Sequence, residues 1–502
     1  MRRIALIALT AVVALASAAV MCSSARAADF PRAGLVSQDA VLRGAPRDSA
    51  TAQAQLWRGE ALELRGERAD HWQVWDYRRE RGGWLRKSQV LPTPRGEGAS
   101  AELLAQLRLS RQQWGMESLG LGLAAAYVQA ATPAELAGPA GAEALDAMAT
   151  LAERIADRAS VPNAKPAEGA LAAQLDVAAR YGLKFEQFEA EDGRVQVCYE
   201  GEAFRRVLSV AATPEQRVRA ALALTRPECA NPRATPREQE ARDAWRQQVL
   251  AQVDAATLSP AWKNRLMMRR AAVDASLAFA LARRGAGGNA LAALGDLAAV
   301  VPSELAEDDQ PAYNDAAMRV NAARWLGTGV AAGGTEQRDL GTLRLTLQPG
   351  SDGDRCLVLS DPQARGRVLA RRCSWGQVSL ASATLNREGR ALAVAVQPLD
   401  GWRELWVFQK DDQAGGAWRL DVLPPAAAQP GLGVLEFAGW VPGGTQMLVA
   451  REVRAEGRYR RSFEVLTLAT LTPERQSPEP ALLGAFQRWA DAGWRAASPV
   501  RR

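Results

Sequence analysis

Histidine is the side chain most often used for acid–base chemistry near neutral pH, and this chain contains one, His71. Catalytic triads and histidine-ligated metal sites need a histidine together with a nucleophile or with further ligands. The neighbours of His71 supply neither, and no G-x-S-x-G, S-x-x-K or phosphate-loop motif is present. We therefore interpret His71 as a solvent-facing strand residue.

Carboxylates are the remaining candidates for acid–base catalysis, because the chain has 56 Asp and Glu residues. The one local candidate is Glu117, which is followed by Ser118. This pair resembles lytic transglycosylases, in which a catalytic Glu precedes a Ser on a helix, but the downstream motif of that family is absent. We interpret Glu117 as an ordinary helical residue. The Asp352-Gly353-Asp354 run similarly indicates a polar turn rather than a calcium loop, and we expect no metal or cofactor.

A cluster of large rings is the strongest indication of a binding surface. The candidate binding residues are Trp57, Trp72, Trp75, Tyr77 and Trp84. A domain of this size can bury about two such rings, so the others are expected at the surface, where exposed aromatics mark binding sites. We expect Trp57 or Trp75 to be exposed beside Tyr77. The alternative is that all of these rings belong to a core.

Cysteines indicate the redox compartment. Without the N-terminal segment the chain keeps four, Cys198, Cys229, Cys356 and Cys373, which allow three pairings. Sequence proximity favours Cys198–Cys229 and Cys356–Cys373. The second pair also follows from a predicted hairpin around residues 361–366, which would bring the two positions opposite each other. Two disulfides predict an oxidising compartment, and the spacings do not fit a zinc site.

The N-terminus predicts export. A short basic start precedes an apolar run over residues 4–21 and small residues at Ala25 and Ala27, as in a secretory signal peptide over residues 1–27. Cys22 follows a large residue and not a small one, so lipidation is disfavoured. No stop-transfer pattern follows, and we expect no integral membrane segment in the mature chain.

Residues 36–92 alternate apolar and polar positions at a period near two. Four short motifs occur in order, at Arg43–Pro46, Leu56–Leu62, His71–Val74 and Gly83–Leu85. In this order they resemble the bacterial SH3-like (SH3b) domain. The resemblance implies a small β-barrel that acts as a targeting or binding module, often at the cell wall, and does not catalyse.

Residues 100–327 are predicted to be a helical domain. Three helix starts share a Thr-Pro-x-Glu/Gln pattern, beginning at Thr132, Thr213 and Thr235. Behind the last start, a buried helical stripe is predicted at Trp245, Val249, Leu250 and Val253. One interruption predicts a hairpin, with strands 184–190 and 194–199.

Residues 338–475 are predicted to be an antiparallel β domain, followed by a tail over 476–502. Leu343, Leu345 and Leu347 alternate strictly. Two similar stretches, residues 386–395 and 441–450, resemble blades of WD40- and TolB-like propellers. Because the domain is short for a closed propeller, an open sheet or sandwich is an equal alternative.

Together these features predict a multidomain α+β protein, comprising an SH3-like barrel, a central all-α domain and a C-terminal β domain with blade-like repeats. The formal charge of +6 is spread without long runs of like charge, so nucleic-acid binding is disfavoured. We expect an exported, periplasmic or secreted, non-catalytic binding or scaffold protein of the bacterial envelope. Its expected partner is a cell-wall polymer or an envelope protein. The alternative is a carboxylate-dependent cell-wall hydrolase or lyase.

Overall fold

The computed structural model describes residues 30–161, 168–189, 193–286, 290–326, 336–411, 416–427, 431–455 and 457–497. The predicted signal peptide lies outside these residues. Within them the chain is a mixed α+β protein with thirteen helices and several mainly antiparallel sheets, which confirms the predicted class in outline. The chain divides into two compact units, residues 1–212 and 213–502.

The first unit begins with a seven-stranded antiparallel sheet in the order β3-β2-β6-β5-β4-β1-β7. Its strands are β1 (Arg32–Val36), β2 (Ala40–Arg43), β3 (Ala52–Leu56), β4 (Ala61–Arg68), β5 (His71–Asp76), β6 (Arg81–Arg86) and β7 (Val90–Pro92). One face packs into a core of aliphatic side chains that includes Leu42, Leu56 and Leu64. Because β3 and β7 are both edges, the described strands do not close into the predicted barrel. Alternation along the sequence fixes which face is buried, but it does not determine whether the two edges meet.

Within the described residues, six helices and one hairpin complete the first unit. The helices are α1 (Ala99–Arg111), α2 (Glu117–Ala130), α3 (Pro133–Ala137), α4 (Pro139–Ala159), α5 (Glu168–Arg180) and α6 (Glu202–Ser209). Strands β8 (Phe185–Glu189) and β9 (Val195–Tyr199) pair in antiparallel fashion, which confirms the predicted hairpin. Leu151 and Ile155 of α4 are fully buried in a core that α1 and α2 share.

The Thr-Pro helix starts form as predicted. At α3 the Glu135 amide donates to Thr132 Oγ1 (3.3 Å), and the Thr132 amide donates to a Glu135 carboxylate oxygen (2.7 Å). The same reciprocal pair of hydrogen bonds begins the helices after Thr213 and Thr235. Two backbone amides at each helix start are therefore satisfied by side chains only three residues away.

In the described part of the second unit, helices come first and two sheets follow them. The helices are α7 (Pro214–Leu224), α8 (Pro236–Ala251), α9 (Pro260–Arg283), α10 (Ala290–Ala298) and α11 (Gln310–Ala323). Within the stripe predicted on α8, Val249 and Leu250 are buried, as is Val253 beyond its end, but Trp245 is 37% exposed. A strict helical period gives the direction of a side chain, and a large ring at the margin of the stripe remains partly outside the core.

Leu343, Leu345 and Leu347 all point into the core of the second unit, as their alternation predicts. They lie on a four-stranded antiparallel sheet made of β10 (Glu336–Leu340), β11 (Leu343–Pro349), β12 (Arg355–Asp361) and β13 (Arg367–Ser374). The nine-stranded sheet consists of β14 (Gln377–Val378), β15 (Thr384–Leu385), β16 (Ala391–Leu399), β17 (Trp402–Asp411), β18 (Ala417–Leu423), β19 (Leu432–Val441), β20 (Gln446–Ala455), β21 (Arg458–Thr467) and β22 (Pro473–Ser477). The two blade-like stretches supply β16 and β20, which belong to this one sheet.

The segment predicted as a tail contains two short helices, α12 (Gly484–Trp489) and α13 (Ala492–Ala497). Phe486 is buried against β-sheet residues, and its ring contacts those of Phe463 and Trp494. Within the described residues, no helix has both the length and the apolar character needed to cross a membrane.

The cysteines form two pairs at disulfide distance. Cys356 and Cys373 are opposite each other on β12 and β13, with Cα atoms 3.9 Å apart, as the hairpin predicted. Cys198 and Cys229 are also disulfide-bonded. Two disulfides are consistent with an oxidising compartment outside the cytoplasm.

Candidate functional site

The strand register brings three of the five predicted rings to one face of the N-terminal sheet. Trp75 on β5 is opposite Glu63 on β4 and Gly82 on β6. Trp84 is opposite Gln73, two residues before Trp75, and therefore points to the same side. Tyr77 follows directly after β5. We call the surface formed by Glu63, Arg65, Trp75, Tyr77 and Trp84 the aromatic face.

Charged side chains contact two rings of the aromatic face, Trp75 and Tyr77. The Arg65 guanidinium lies 4.3 Å from the centre of the Trp75 ring, a cation–π distance. Arg65 also forms an ion pair with Glu63 (2.7 Å), and the Tyr77 hydroxyl donates to the same carboxylate oxygen at 3.0 Å. These contacts lower the pKa of Glu63, with the Arg65 hydrogen bond as the largest cause. The group remains ionised at neutral pH, and the face presents a ring, a cation and an anion together.

The rings of the aromatic face do not divide simply into core residues and surface residues. Tyr77 is 67% exposed, whereas Trp75 and Trp84 are half-buried. The Trp75 ring lies over Gly82, where an added Cβ would be 3.1 Å from a ring carbon. The absence of a side chain at Gly82 therefore gives the ring a flat support.

Trp57 and Trp72 do not join the aromatic face. Trp72 packs against the sheet core, makes an edge contact with Phe30 and is 5.0 Å from the Lys87 ammonium. Trp57 lies half-buried in the turn after β3. A binding role for either ring thus has less support than one for Trp75 or Tyr77.

The prediction that His71 faces solvent is wrong. The residue is buried, and only 7% of it is exposed. Its Nε2 lies 4.0 Å from an Asp48 carboxylate oxygen, so the loop between β2 and β3 approaches the ring. Within the described residues, Nε2 of His71 makes no hydrogen bond, so no hydroxyl or thiol is paired with the ring at that atom.

A buried ionic cluster lies on the side of the sheet opposite the aromatic face. Arg79 contacts Glu60 (2.9 Å) and Asp76 (2.6 Å), and Arg180 at the end of α5 contacts Glu60 at 3.1 Å. Burial raises the pKa of Glu60, and the hydrogen bond from Arg79 opposes that effect. Both carboxylates are paired with guanidinium groups, and the contact between Arg180 and Glu60 joins the sheet to α5.

Glu117, the local catalytic candidate, is the first residue of α2 and is fully buried. Its carboxylate pairs with Arg158 at 3.2 Å. A general acid must reach the substrate bond that it protonates. Glu117 is fully buried and paired with Arg158 inside the helical part of the first unit.

The only close group of potential metal ligands within the described residues is Asp354, Cys356 and Cys373. The two sulfurs form a disulfide, and disulfide sulfurs do not supply the thiolate that binds metal. This group is therefore a poor candidate for a metal site.

The second unit contains a cavity of about 280 Å³ that the sequence did not predict. Its walls come from the end of α11, from β17 and β19, from the segment around Ser382 and from α13. We call it the polar cavity. Its ionisable lining residues are Arg324, Arg403, Glu436 and Asp491, and its aromatic ones are Trp325, Phe437 and Trp494.

Two arginines share one carboxylate at the wall of the polar cavity. Glu436 Oε1 accepts from Arg324 and from Arg403, each at 2.8 Å, and Oε2 accepts from the Trp494 indole at 3.2 Å. Burial would raise the pKa of Glu436, but the two guanidinium charges outweigh it and the pKa is lowered. Burial lowers the pKa of Arg403 to about 10, so this group stays charged at neutral pH.

No local sequence signal marks the polar cavity. Arg324, Arg403, Glu436 and Trp494 come from four separate elements, and each has ordinary neighbours in the sequence. No family model matches this chain, and neither a curated protein nor a solved structure matches it.

Proposed function

We propose that this protein is an exported, non-catalytic binding or scaffold protein of the bacterial cell envelope, periplasmic or secreted. The observation that supports it is the aromatic face, where the exposed Tyr77 and the Arg65-covered Trp75 lie side by side. The signal-peptide pattern and the two disulfide pairs support the location. The described residues that were candidates for catalysis, His71 and Glu117, are buried.

The N-terminal sheet is proposed to be an SH3-like module, on the strength of the four ordered sequence motifs. Its interior side is occupied by the core and by the ionic cluster around Glu60, which leaves the aromatic face as its binding side. The C-terminal sheet, with its two blade-like stretches, is proposed to offer a further interaction surface.

The chemistry of the aromatic face suits a cell-wall polymer. A flat ring stacks on the apolar face of a sugar or on an extended peptide, while Arg65 and Glu63 offer a donor and an acceptor at its edge. The other proposed partner is an envelope protein that presents an extended segment. We propose no nucleic acid as a partner.

Cosedimentation with purified peptidoglycan tests the proposal. Replacing Trp75 or Tyr77 with Ala should weaken binding by about 1–3 kcal/mol, as for a central aromatic contact, while thermal unfolding stays close to wild type. Trp114→Ala is the matched control, because Trp114 is a 76% exposed tryptophan of the same unit, also beside an arginine, but on the helical part. Its binding should not change.

Two outcomes would count against this proposal. Equal loss of binding in the Trp114→Ala protein would show that the loss is not specific to the aromatic face. Release of soluble wall fragments by the purified protein would favour the alternative, a carboxylate-dependent hydrolase or lyase. If peptidoglycan does not bind, the same three variants are tested by cross-linking to envelope proteins. Cross-links that only the Trp75 and Tyr77 variants lose would indicate a protein partner, and the absence of such cross-links would refute a docking function.

A further inference from the structure

The polar cavity of the second unit has the features of a small-ligand site that is separate from the aromatic face. It is concave, its walls combine aromatic rings with a few charged groups, and ligand pockets share this composition. Its volume of about 280 Å³ falls just below the range of roughly 300–1,000 Å³ typical of drug-sized ligands. The ligand should therefore be no larger than an amino acid or the end of a short peptide.

Arg324 supplies the positive end of the site. Its Nη1 donates to Glu436, and its guanidinium lies 4.8 Å from the Trp325 ring centre, so the group is held on two sides. Within the described residues its Nε and Nη2 donate to no protein acceptor, and 11% of the side chain is exposed. A guanidinium with open donors in a fixed orientation suits a carboxylate.

Asp491 supplies the negative end. Its Oδ1 accepts from the amides of Gly493 and Trp494 at the start of α13, at 2.7 and 3.2 Å. Within the described residues no donor contacts the second oxygen, Oδ2. That oxygen is available to an ammonium group.

The charges of the lining balance. Two arginines, Arg324 and Arg403, face two carboxylates, Glu436 and Asp491, so the cavity as a whole is neutral. A simple anion would be attracted by Arg324 and repelled by Asp491, and a simple cation would meet the reverse. A ligand with both charges satisfies both groups.

We propose that the polar cavity binds a small zwitterion of the α-amino acid type that has an apolar or aromatic side chain. Its carboxylate pairs with Arg324 and its ammonium with Asp491. The side chain lies among Trp325, Phe437 and Trp494. This site is independent of docking by the aromatic face.

Three probes that differ only in their charged ends test the proposal by calorimetric titration of the full chain. L-phenylalanine should bind, and N-acetyl-L-phenylalanine and L-phenylalaninamide should each bind about tenfold more weakly, since each loses one charged contact. Equal affinity for all three probes, or no saturable binding of L-phenylalanine, would overturn the proposal.

Two variants test the residues. Asp491→Asn removes the charge but keeps an acceptor at the start of α13, since Asn caps helices about as well as Asp. Arg324→Gln removes the other charge. Each should weaken L-phenylalanine binding about tenfold. Asp339→Asn, an exposed carboxylate of the same unit that does not line the cavity, is the control and should bind as wild type. If Arg324→Gln fails to fold, Asp491→Asn alone decides, and wild-type affinity in that protein would refute the assignment.

Discussion

The ion pair between Arg403 and Glu436 at the wall of the polar cavity allows the stability cost of a substitution to be calculated. Arg403 is almost completely buried and donates to Glu436 and to the backbone and side-chain oxygens of Asn321. Arg403→Met removes all of these hydrogen bonds and leaves Glu436 buried with one guanidinium fewer. Removing one partner of a buried pair costs about 3–5 kcal/mol. Because Glu436 keeps Arg324 and Trp494, we expect the lower end, about 3 kcal/mol.

Thermal unfolding of the full chain provides the assay. A loss of about 3 kcal/mol should lower the unfolding midpoint of the second unit by about 6 °C or somewhat less, because this unit is larger than the domains of 150–250 residues that shift by about 2–4 °C per kcal/mol. The Arg403→Met, Glu436→Leu double variant should be less destabilised than the sum of the two single variants, because the single variants each leave a buried charge.

Arg344→Met is the matched control. Arg344 forms an ion pair with Asp339 at 2.6 Å, but its side chain is 38% exposed and that of Asp339 is 60% exposed. Surface pairs contribute about 0–1 kcal/mol, so the midpoint should hardly change. If Arg403→Met proved no more damaging than Arg344→Met, the reasoning about burial would be refuted.

Three further predictions concern single contacts. Replacing both Cys356 and Cys373 with Ala should cost about 3 kcal/mol in urea unfolding, as loop-closure entropy gives for a separation of 17 residues, and a cost below about 1 kcal/mol would contradict this. Thr213→Ala should cost about 1 kcal/mol and speed hydrogen exchange at the Gln216 amide, whereas Thr213→Ser should do neither. Because the folded-state pKa of Glu436 is lowered, its contribution to stability is present above the unfolded value of 4.5 and is lost as the pH falls through the folded pKa. The midpoint difference between wild type and Glu436→Gln should therefore shrink as the pH drops below 4.5, and a constant difference would exclude ionisation as its cause.

Features whose partners are near in sequence were predictable. Each capping box joins residues three apart, and the hairpin that carries Cys356 and Cys373 joins strands separated by one short loop. The leucines of β11 alternate because one face of that strand is buried. In each case local geometry and the hydrophobic period leave few alternatives.

Features that depend on distant contacts were not predictable. His71 is buried, and a loop more than twenty residues away in sequence brings Asp48 within 4.0 Å of its ring. The open edges of the N-terminal sheet depend on which strands meet, and the helices of residues 484–497 are ordered by contacts with β-strand side chains such as Phe463. A sequence pattern predicts the direction in which a side chain points, whereas tertiary packing determines which distant residue that side chain contacts.

The polar cavity shows why this distinction matters for function. Buried ion pairs can often be replaced by apolar residues with little loss of stability, so stability alone does not account for two arginines on one carboxylate. Arg403 donates hydrogen bonds both to the buried Glu436 carboxylate and to Asn321. Arg324 donates one hydrogen bond to Glu436, and within the described residues its Nε and Nη2 donate to no protein acceptor. Arg324→Met should therefore cost clearly less stability than Arg403→Met while weakening L-phenylalanine binding about tenfold. If both variants cost the same and Arg324→Met binds L-phenylalanine as tightly as wild type, Arg324 is a structural residue and the cavity lacks its positive end.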